Sequence, residues 1–214
     1  VSLHALRERY LRARSLGDYA TALLVYPALQ ASLARYDDAL YARQGFSASG
    51  EVRLGSDAFG SDFSFAQLLG SVRWVRGWGE QGRVIARGQF GRTFGGNIQG
   101  LPTSLRFYAG GDRSVRGYAY QEISPQDAAG DPIGGRNLLV GSLEYEHMFD
   151  EQWGMASFVD AGNAFNEVSE GLRVGVGLGL RWRSPIGPVR LDLGHGLDDP
   201  QRGWQLHLGI GPER

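Results

Sequence analysis

The 214-residue sequence contains no cysteine, which rules out a disulfide framework and thiolate metal sites. It contains no lysine either: all 22 basic residues are arginine, set against 23 acidic ones. These arginines are scattered, and a net charge of −1 provides no basic face of the kind nucleic-acid binding needs. No window nears the roughly 20 apolar residues of a membrane-crossing helix. The opening "VSLHALRERYLRARS" lacks the basic-then-apolar build of a secretory signal, so the chain is expected to be cytosolic or to begin inside a longer protein. Catalytic signatures are missing too, with no G-x-S-x-G elbow, P-loop or G-x-G-x-x-G. The four histidines, His4, His147, His195 and His207, show no metal-ligand spacing and read as solvated side chains. No enzyme activity, metal or cofactor is expected.

What the sequence has in abundance is glycine and alternation. Glycine, at 33 residues, is roughly twice its usual share and falls at turns or at every second position of apolar runs. In "RVGVGLGLRW", Val174, Val176, Leu178, Leu180 and Trp182 share one face, and Gly175, Gly177, Gly179 and Arg181 the other. "VRLDLG" opposes Val189, Leu191 and Leu193 to Arg190 and Asp192; "WQLHLGIG" opposes Trp204, Leu206, Leu208 and Ile210 to Gln205, His207 and Gly209. "LLVGSLEYEHMF" sets Leu143, Tyr145 and Phe149 against Ser142, Glu144 and Glu146, and "WGMASFVDAGNAF" sets Phe158, Asp160 and Gly162 against Trp153, Met155 and Val159. "FSASGEVRL", "FSFAQLLGSVRWVRG" and "GRVIARGQFGR" alternate likewise, as does "ALLVYPALQASLARY" apart from Pro27, which suggests an edge or a bulge. A period of two is the strand signal. The first segment, with Leu3, Leu6, Tyr10 and Leu11, fits a helical face equally well.

Counted with that segment, the pattern predicts about ten strands, each near the ~9–11 residues that cross an outer membrane. Two all-β architectures remain open on pattern alone: a soluble sandwich and an antiparallel transmembrane barrel. A mean hydropathy of −0.27 does not separate them, because barrel strands alternate between lipid and lumen. Small, uncharged residues dominate the polar faces, and Trp74, Trp153, Trp182 and Trp204 sit toward strand ends. Aromatics there match the interfacial girdles of membrane barrels, which favours the barrel.

One stretch breaks the pattern: residues 96–137 form a long loop with "GGDRSVRGYAY" at its centre. Loops of such length are usually functional or disordered. Asp160, Glu144 and Glu146 occupy polar strand faces, and a carboxylate inside a narrow lumen needs a cation. Arg116 supplies one if the loop folds inward, its planar fork being suited to a carboxylate; the same residue on a surface loop would simply be solvated.

"FYAGGDRSVRGYAYQEISP" resembles the sixth-loop motif of the outer-membrane assembly-factor superfamily, also called the bacterial surface antigen family. "FVDAGNAFN" is similar to its F-x-D-x-G strand, and "GVGLGLRWRSPIGPVRLDLG" to its penultimate strands. The ending "WQLHLGIGPER" resembles the last strand of the TamA branch, the outer-membrane subunits of the translocation and assembly module. The resemblance runs along most of the chain and is densest from Phe107 onward.

The resemblance implies a bacterial outer-membrane barrel of about 16 strands, preceded by periplasmic POTRA domains. Residues 1–214 would form its C-terminal part, lacking the POTRA domains and the early strands. Residues 96–137 would fold into the lumen, with Arg116 meeting Asp160 and Gly117 allowing close backbone approach. Val115 and Tyr118 would pack on the inner wall. Phe158, Asp160 and Gly162 are the strand motif. Glu144 is a second ion-pair candidate, chosen because its predicted strand adjoins that of Asp160. Trp204, Leu206, Leu208 and Ile210 would mark the last, gate-forming strand.

The implied function is assembly or secretion of β-barrel and autotransporter clients, with outer-membrane lipid, those clients and the inner-membrane-anchored TamB as partners. A two-partner secretion transporter or a BamA-type central assembly factor is the alternative within the fold. An outer-membrane enzyme or passive pore is the alternative outside it.

Overall fold

A computed structural model describes residues 1–13, 18–95, 101–185, 187–198 and 203–211. Ten strands, β1 (Ser2–Ala13), β2 (Asp18–Tyr36), β3 (Gln44–Gly55), β4 (Phe65–Trp78), β5 (Gly82–Phe94), β6 (Asn137–Met148), β7 (Trp153–Phe165), β8 (Arg173–Ser184), β9 (Gly187–Gly196) and β10 (Gln205–Ile210), follow one another in chain order. They form a single antiparallel sheet in which each strand pairs with its sequence neighbours. The sheet is curved and open, so β1 and β10 are each paired on one side only. The first segment, equally compatible with a helix in sequence, is β1, paired with β2 from Ser2↔Ala28 to Ala13↔Asp18. Pro27 lies inside β2 opposite Leu3, one step past the last β2–β3 pair, Ala28↔Arg53. On its β3 side it is therefore a local edge, where a missing N–H is tolerated.

The burial pattern decides between sandwich and barrel. Along β6, Val140, Ser142, Glu144 and Glu146 are buried while Leu139, Leu143 and Tyr145 are exposed. On β8 and β9, Arg181 and Asp192 are buried while Leu178, Leu180, Trp182, Leu191 and Leu193 lie open on the other face. A soluble sheet would do the reverse, since exposing so much apolar surface to water and burying ionised groups are both unfavourable. Apolar out and charged in is the arrangement of a barrel wall in lipid. Trp74, Trp78, Trp153 and Trp182 gather toward the end with the shorter connections, such as 79–81 and 149–152, and the Trp153 and Trp182 rings stack at 5.5 Å. Longer segments, 56–64, 166–172 and the β5–β6 loop, leave the opposite end. Short turns face the periplasm in such barrels, and long loops face outward.

The β5–β6 loop, described from Leu101 onward, turns into the concave side; its first residues, 96–100, lie outside the described ones. Leu101 and Leu105 join Leu24 and Phe65 of β2 and β4 in one dry cluster. Val115 and Tyr118 pack with Ala109, Ile123 and Val140 of β6 in another. Between them, the Gln67 side chain donates to Thr93 Oγ1 (2.8 Å) and to the Leu105 carbonyl (3.0 Å).

Candidate functional site

At the loop's centre, the Arg116 side chain is buried to 1% exposure against the inner faces of β6, β7 and β9. Its Nε donates to Asp160 Oδ2 (2.8 Å) and its Nη2 to Asp160 Oδ1 (3.0 Å), the two-pronged geometry that suits a guanidinium. The Arg116 backbone N–H adds a third bond to Asp160 Oδ2 (3.0 Å). Nη1 donates to Glu144 Oε2 (2.5 Å) and Asp192 Oδ2 (3.0 Å), while Nη2 reaches Ser142 Oγ (3.4 Å). The guanidinium carbon also lies 3.5 Å from the centroid of the Phe158 ring. Burial alone would pull the proton affinity of this guanidinium down. The Asp160 hydrogen bonds and the charges of Glu144 and Asp192 more than reverse that, so the group is held firmly cationic.

The loop comes this close because the wall beneath it lacks side chains. A Cβ on Gly175 of β8 would fall 1.9 Å from the Arg116 carbonyl oxygen, and one on Gly194 of β9 would fall 2.6 Å from the Gly117 nitrogen. Gly175 and Gly194 thus leave a trough for the loop backbone, while Gly177 makes room for the Phe158 ring and Gly179 for the Asp192 and Arg181 side chains, a division that their spacing alone does not disclose. Gly117 itself has φ +93°, a conformation that side chains other than glycine's rarely tolerate. Tyr118 continues the lock by donating to Asp198 Oδ1 (2.5 Å) and lying 3.2 Å from the Val174 carbonyl. Gly162 faces Val115, and Phe158 lies beside Gly177.

Beyond the residues singled out in sequence, the charge network continues toward the turn end. Arg181 of β8 donates to Glu144 Oε1 (2.7 Å), Glu146 Oε1 (2.8 Å) and Asp192 Oδ1 (2.5 Å). Arg83 of β5 donates to Glu146 Oε2 (2.5 Å) and the Ala42 carbonyl (2.6 Å), and Tyr41 donates to the same Glu146 oxygen (3.2 Å). Glu144, Glu146 and Asp192 each bridge two arginines. Asp192, Arg181, Glu146 and Arg83 all sit on polar faces of the alternation, but which of them share a height depends on strand register.

His207 departs from its reading as a solvated side chain. Its Nε2 accepts from the Gly117 backbone N–H at 3.2 Å, joining the loop motif to β10. On the opposite face Leu206, Leu208 and Ile210 are exposed toward lipid, as is Trp204, which precedes β10 and packs against His195 at 5.1 Å between ring centroids. Among the described residues no group of His, Cys, Asp or Glu is arranged to hold a metal ion.

Residues 9–213 match the model of the Omp85 superfamily domain. The chain belongs to the Omp85 superfamily. Over 132 residues it is 42% identical to the outer membrane protein assembly factor BamA of Nitratidesulfovibrio vulgaris, covering 56% of this chain and 17% of that protein. Over 120 residues it is 29% identical to BamA of Neorickettsia risticii, covering 50% of this chain and 16% of that protein. The chain thus spans about a sixth of the length of these curated relatives. The crystal structure of Haemophilus ducreyi BamA lacking POTRA domains 1–3 superimposes with a TM-score of 0.74 at 19% identity, covering 91% of this chain and 42% of that one. That likeness establishes the barrel-wall fold, and the family places the chain in the bacterial outer membrane.

Proposed function

We propose that this chain is the C-terminal wall of an outer-membrane protein assembly factor, in which the inward-folded loop braces the strands next to the point of client entry. The observation that carries this reading is the single buried Arg116, which binds β6, β7 and β9 at once while the adjacent glycine reaches β10. Backbone donors and acceptors on the open side of β10 can pair with an incoming strand by β-augmentation. A wall held rigid up to β9, with a short and lightly tethered β10, confines opening to the last strand.

The matched relatives bear the BamA name, and a BamA-type factor accounts for the motifs as well as a TamA-type one. In the TamA branch the expected partner is TamB; in either branch the clients are β-barrel or autotransporter proteins. The number of POTRA domains ahead of this segment separates the branches: five for BamA, three for TamA and two for a two-partner secretion transporter, by family analogy.

The test is client assembly in cells or proteoliposomes with the full-length protein carrying Arg116→Ala. Loss of assembly with the barrel still inserted supports the bracing role. Full assembly by the variant, or steady ion conduction by the wild type with no effect on client insertion, overturns it.

A further inference from the structure

The outward face of the wall holds a second feature, separate from the lumen. On β2, β3 and β4 this face is apolar from the loop end downward, through Leu29 and Leu33, Val52 and Leu54, and Leu68 and Val72. Near the turn end it changes character within one step. Arg35, Phe46 and Trp74 form one cross-strand row, and Gln44 and Arg76 pair in the next. All five side chains are exposed on the outer face. Two arginines, on β2 and β4, therefore flank a ledge of two aromatic rings on either side of β3. Their strands are about 10 Å apart at ordinary sheet spacing, within the combined reach of two arginine side chains.

These residues, together with Tyr36, Asp37, Gly45 and Val75, line a shallow groove of about 610 Å³. Asp37 brings the groove's one carboxylate, and its Oδ1 is turned into its own connection, accepting from the Arg43 N–H at 2.9 Å. Gln44 adds an amide at the midpoint, with its Oε1 3.5 Å from Arg76 Nη1.

A general interfacial girdle does not explain this group. At the same end, β6 to β8 present Tyr145, Phe149, Trp153 and Trp182 to the outside, and no outward arginine accompanies them among the described residues. Aromatic rings alone anchor a wall in the headgroup region. Two arginines added at one place supply what rings lack: a fixed pair of cations with forked donors for a phosphate. A charge on the lipid face costs little near the interface and far more at the midplane. Height and chemistry agree.

We infer that Arg35, Gln44 and Arg76 form a headgroup site for an anionic phospholipid of the inner leaflet. The phosphodiester sits between the two guanidinium groups, and the acyl chains lie along Phe46, Trp74, Val72 and Leu33. Anionic lipid is favoured over zwitterionic because two cations face one headgroup and no ammonium partner is provided beyond the already engaged Asp37.

The experiment uses the full-length protein in nanodiscs of phosphatidylethanolamine and phosphatidylglycerol, with native mass spectrometry counting the lipids retained on release. The wild type is expected to keep phosphatidylglycerol well above its bulk proportion. Arg35→Gln with Arg76→Gln should cut that enrichment about tenfold, and each single change should cut it partway. Arg92→Gln, on the outer face at the opposite end, should leave it unchanged. Heat-dependent gel mobility identifies any variant that fails to fold, and Arg→Lys at both positions then retains the charge and part of the enrichment. Enrichment equal to the bulk ratio, or untouched by the double change, overturns the assignment. Displacement of the bound lipid by inorganic phosphate alone overturns it as well, marking a simple anion site.

Discussion

The inner faces of the two halves of this wall are built on the same alternation and filled very differently. From β6 to β9 the lumen side carries Glu144, Glu146, Asp160, Arg181 and Asp192, all buried, with glycines between them and a loop pressed on top. Across β2 to β4 the lumen side near the turn end is mostly small, with Ser32, Ala34, Ser47, Ser49 and Ser71 beside one Arg73–Tyr36 stack, and it lines an open cavity of about 610 Å³ whose far side is Arg83, Glu146 and Arg181. A period of two specifies only that a residue points inward. Whether the inward residue is a charge, a glycine or a serine records what covers it.

The sharpest way to break this contrast is to remove the arginine from the covered half. Arg116→Ala leaves Asp160, Glu144 and Asp192 crowded and short of one cation, and breaking a buried ion pair costs about 3–5 kcal/mol. The full-length variant should lose its heat-resistant gel mobility at a markedly lower temperature. Exchanging Arg116 and Asp160 should not restore it, because the new aspartate would face Glu144 and Asp192. Restoration by the exchange would mean that the other two carboxylates contribute nothing.

A smaller effect should follow from filling the trough. Gly175→Ala sets a methyl group against the Arg116 carbonyl, an overpacking cost of about 1–3 kcal/mol. Limited proteolysis should then cut after Arg113 faster than in the wild type, while cleavage elsewhere stays constant.

His207→Leu removes the acceptor of the Gly117 N–H, a loss of about 1 kcal/mol. Hydrogen exchange should quicken in β10 and remain slow in β7 and β8, with His207→Gln recovering most of the protection. Equal exchange in β10 for all three proteins would show that the loop does not restrain β10.

The uncovered half should hardly respond. Ser49→Ala removes one hydroxyl contact, to Ser71 Oγ at 2.8 Å, and is expected to shift stability by no more than about 0.5 kcal/mol. A larger shift would mean that this face is covered in the complete barrel.

Strand number and the inward or outward sense of most residues were legible in the sequence, because alternation reports them directly. Arg116 and Asp160 are marked by their resemblance to a motif, and Glu144 by its place on the strand adjoining that of Asp160. Asp192 and Arg181 are not marked in this way, although both lie on recognised polar faces. Their meeting depends on pairings such as Gly179↔Asp192 and Gly154↔Arg181, and period two carries no information on register. His207 gives no sign of its contact for a related reason: its partner is a backbone N–H on a distant loop, which leaves no side-chain signature.

The lock also constrains the order of events during folding. Arg116 bonds to residues 28, 44 and 76 positions further along the chain, so its three anchors are laid down successively on β6, β7 and β9. Contacts so distant in sequence carry a loop-closure cost before they contribute any stability. The guanidinium is therefore expected to be desolvated only after β9 is in place, and a wall stalled at β7 would hold the loop half-docked beside a carboxylate pair. Seating of a single side chain would thus register that the wall has been completed through β9.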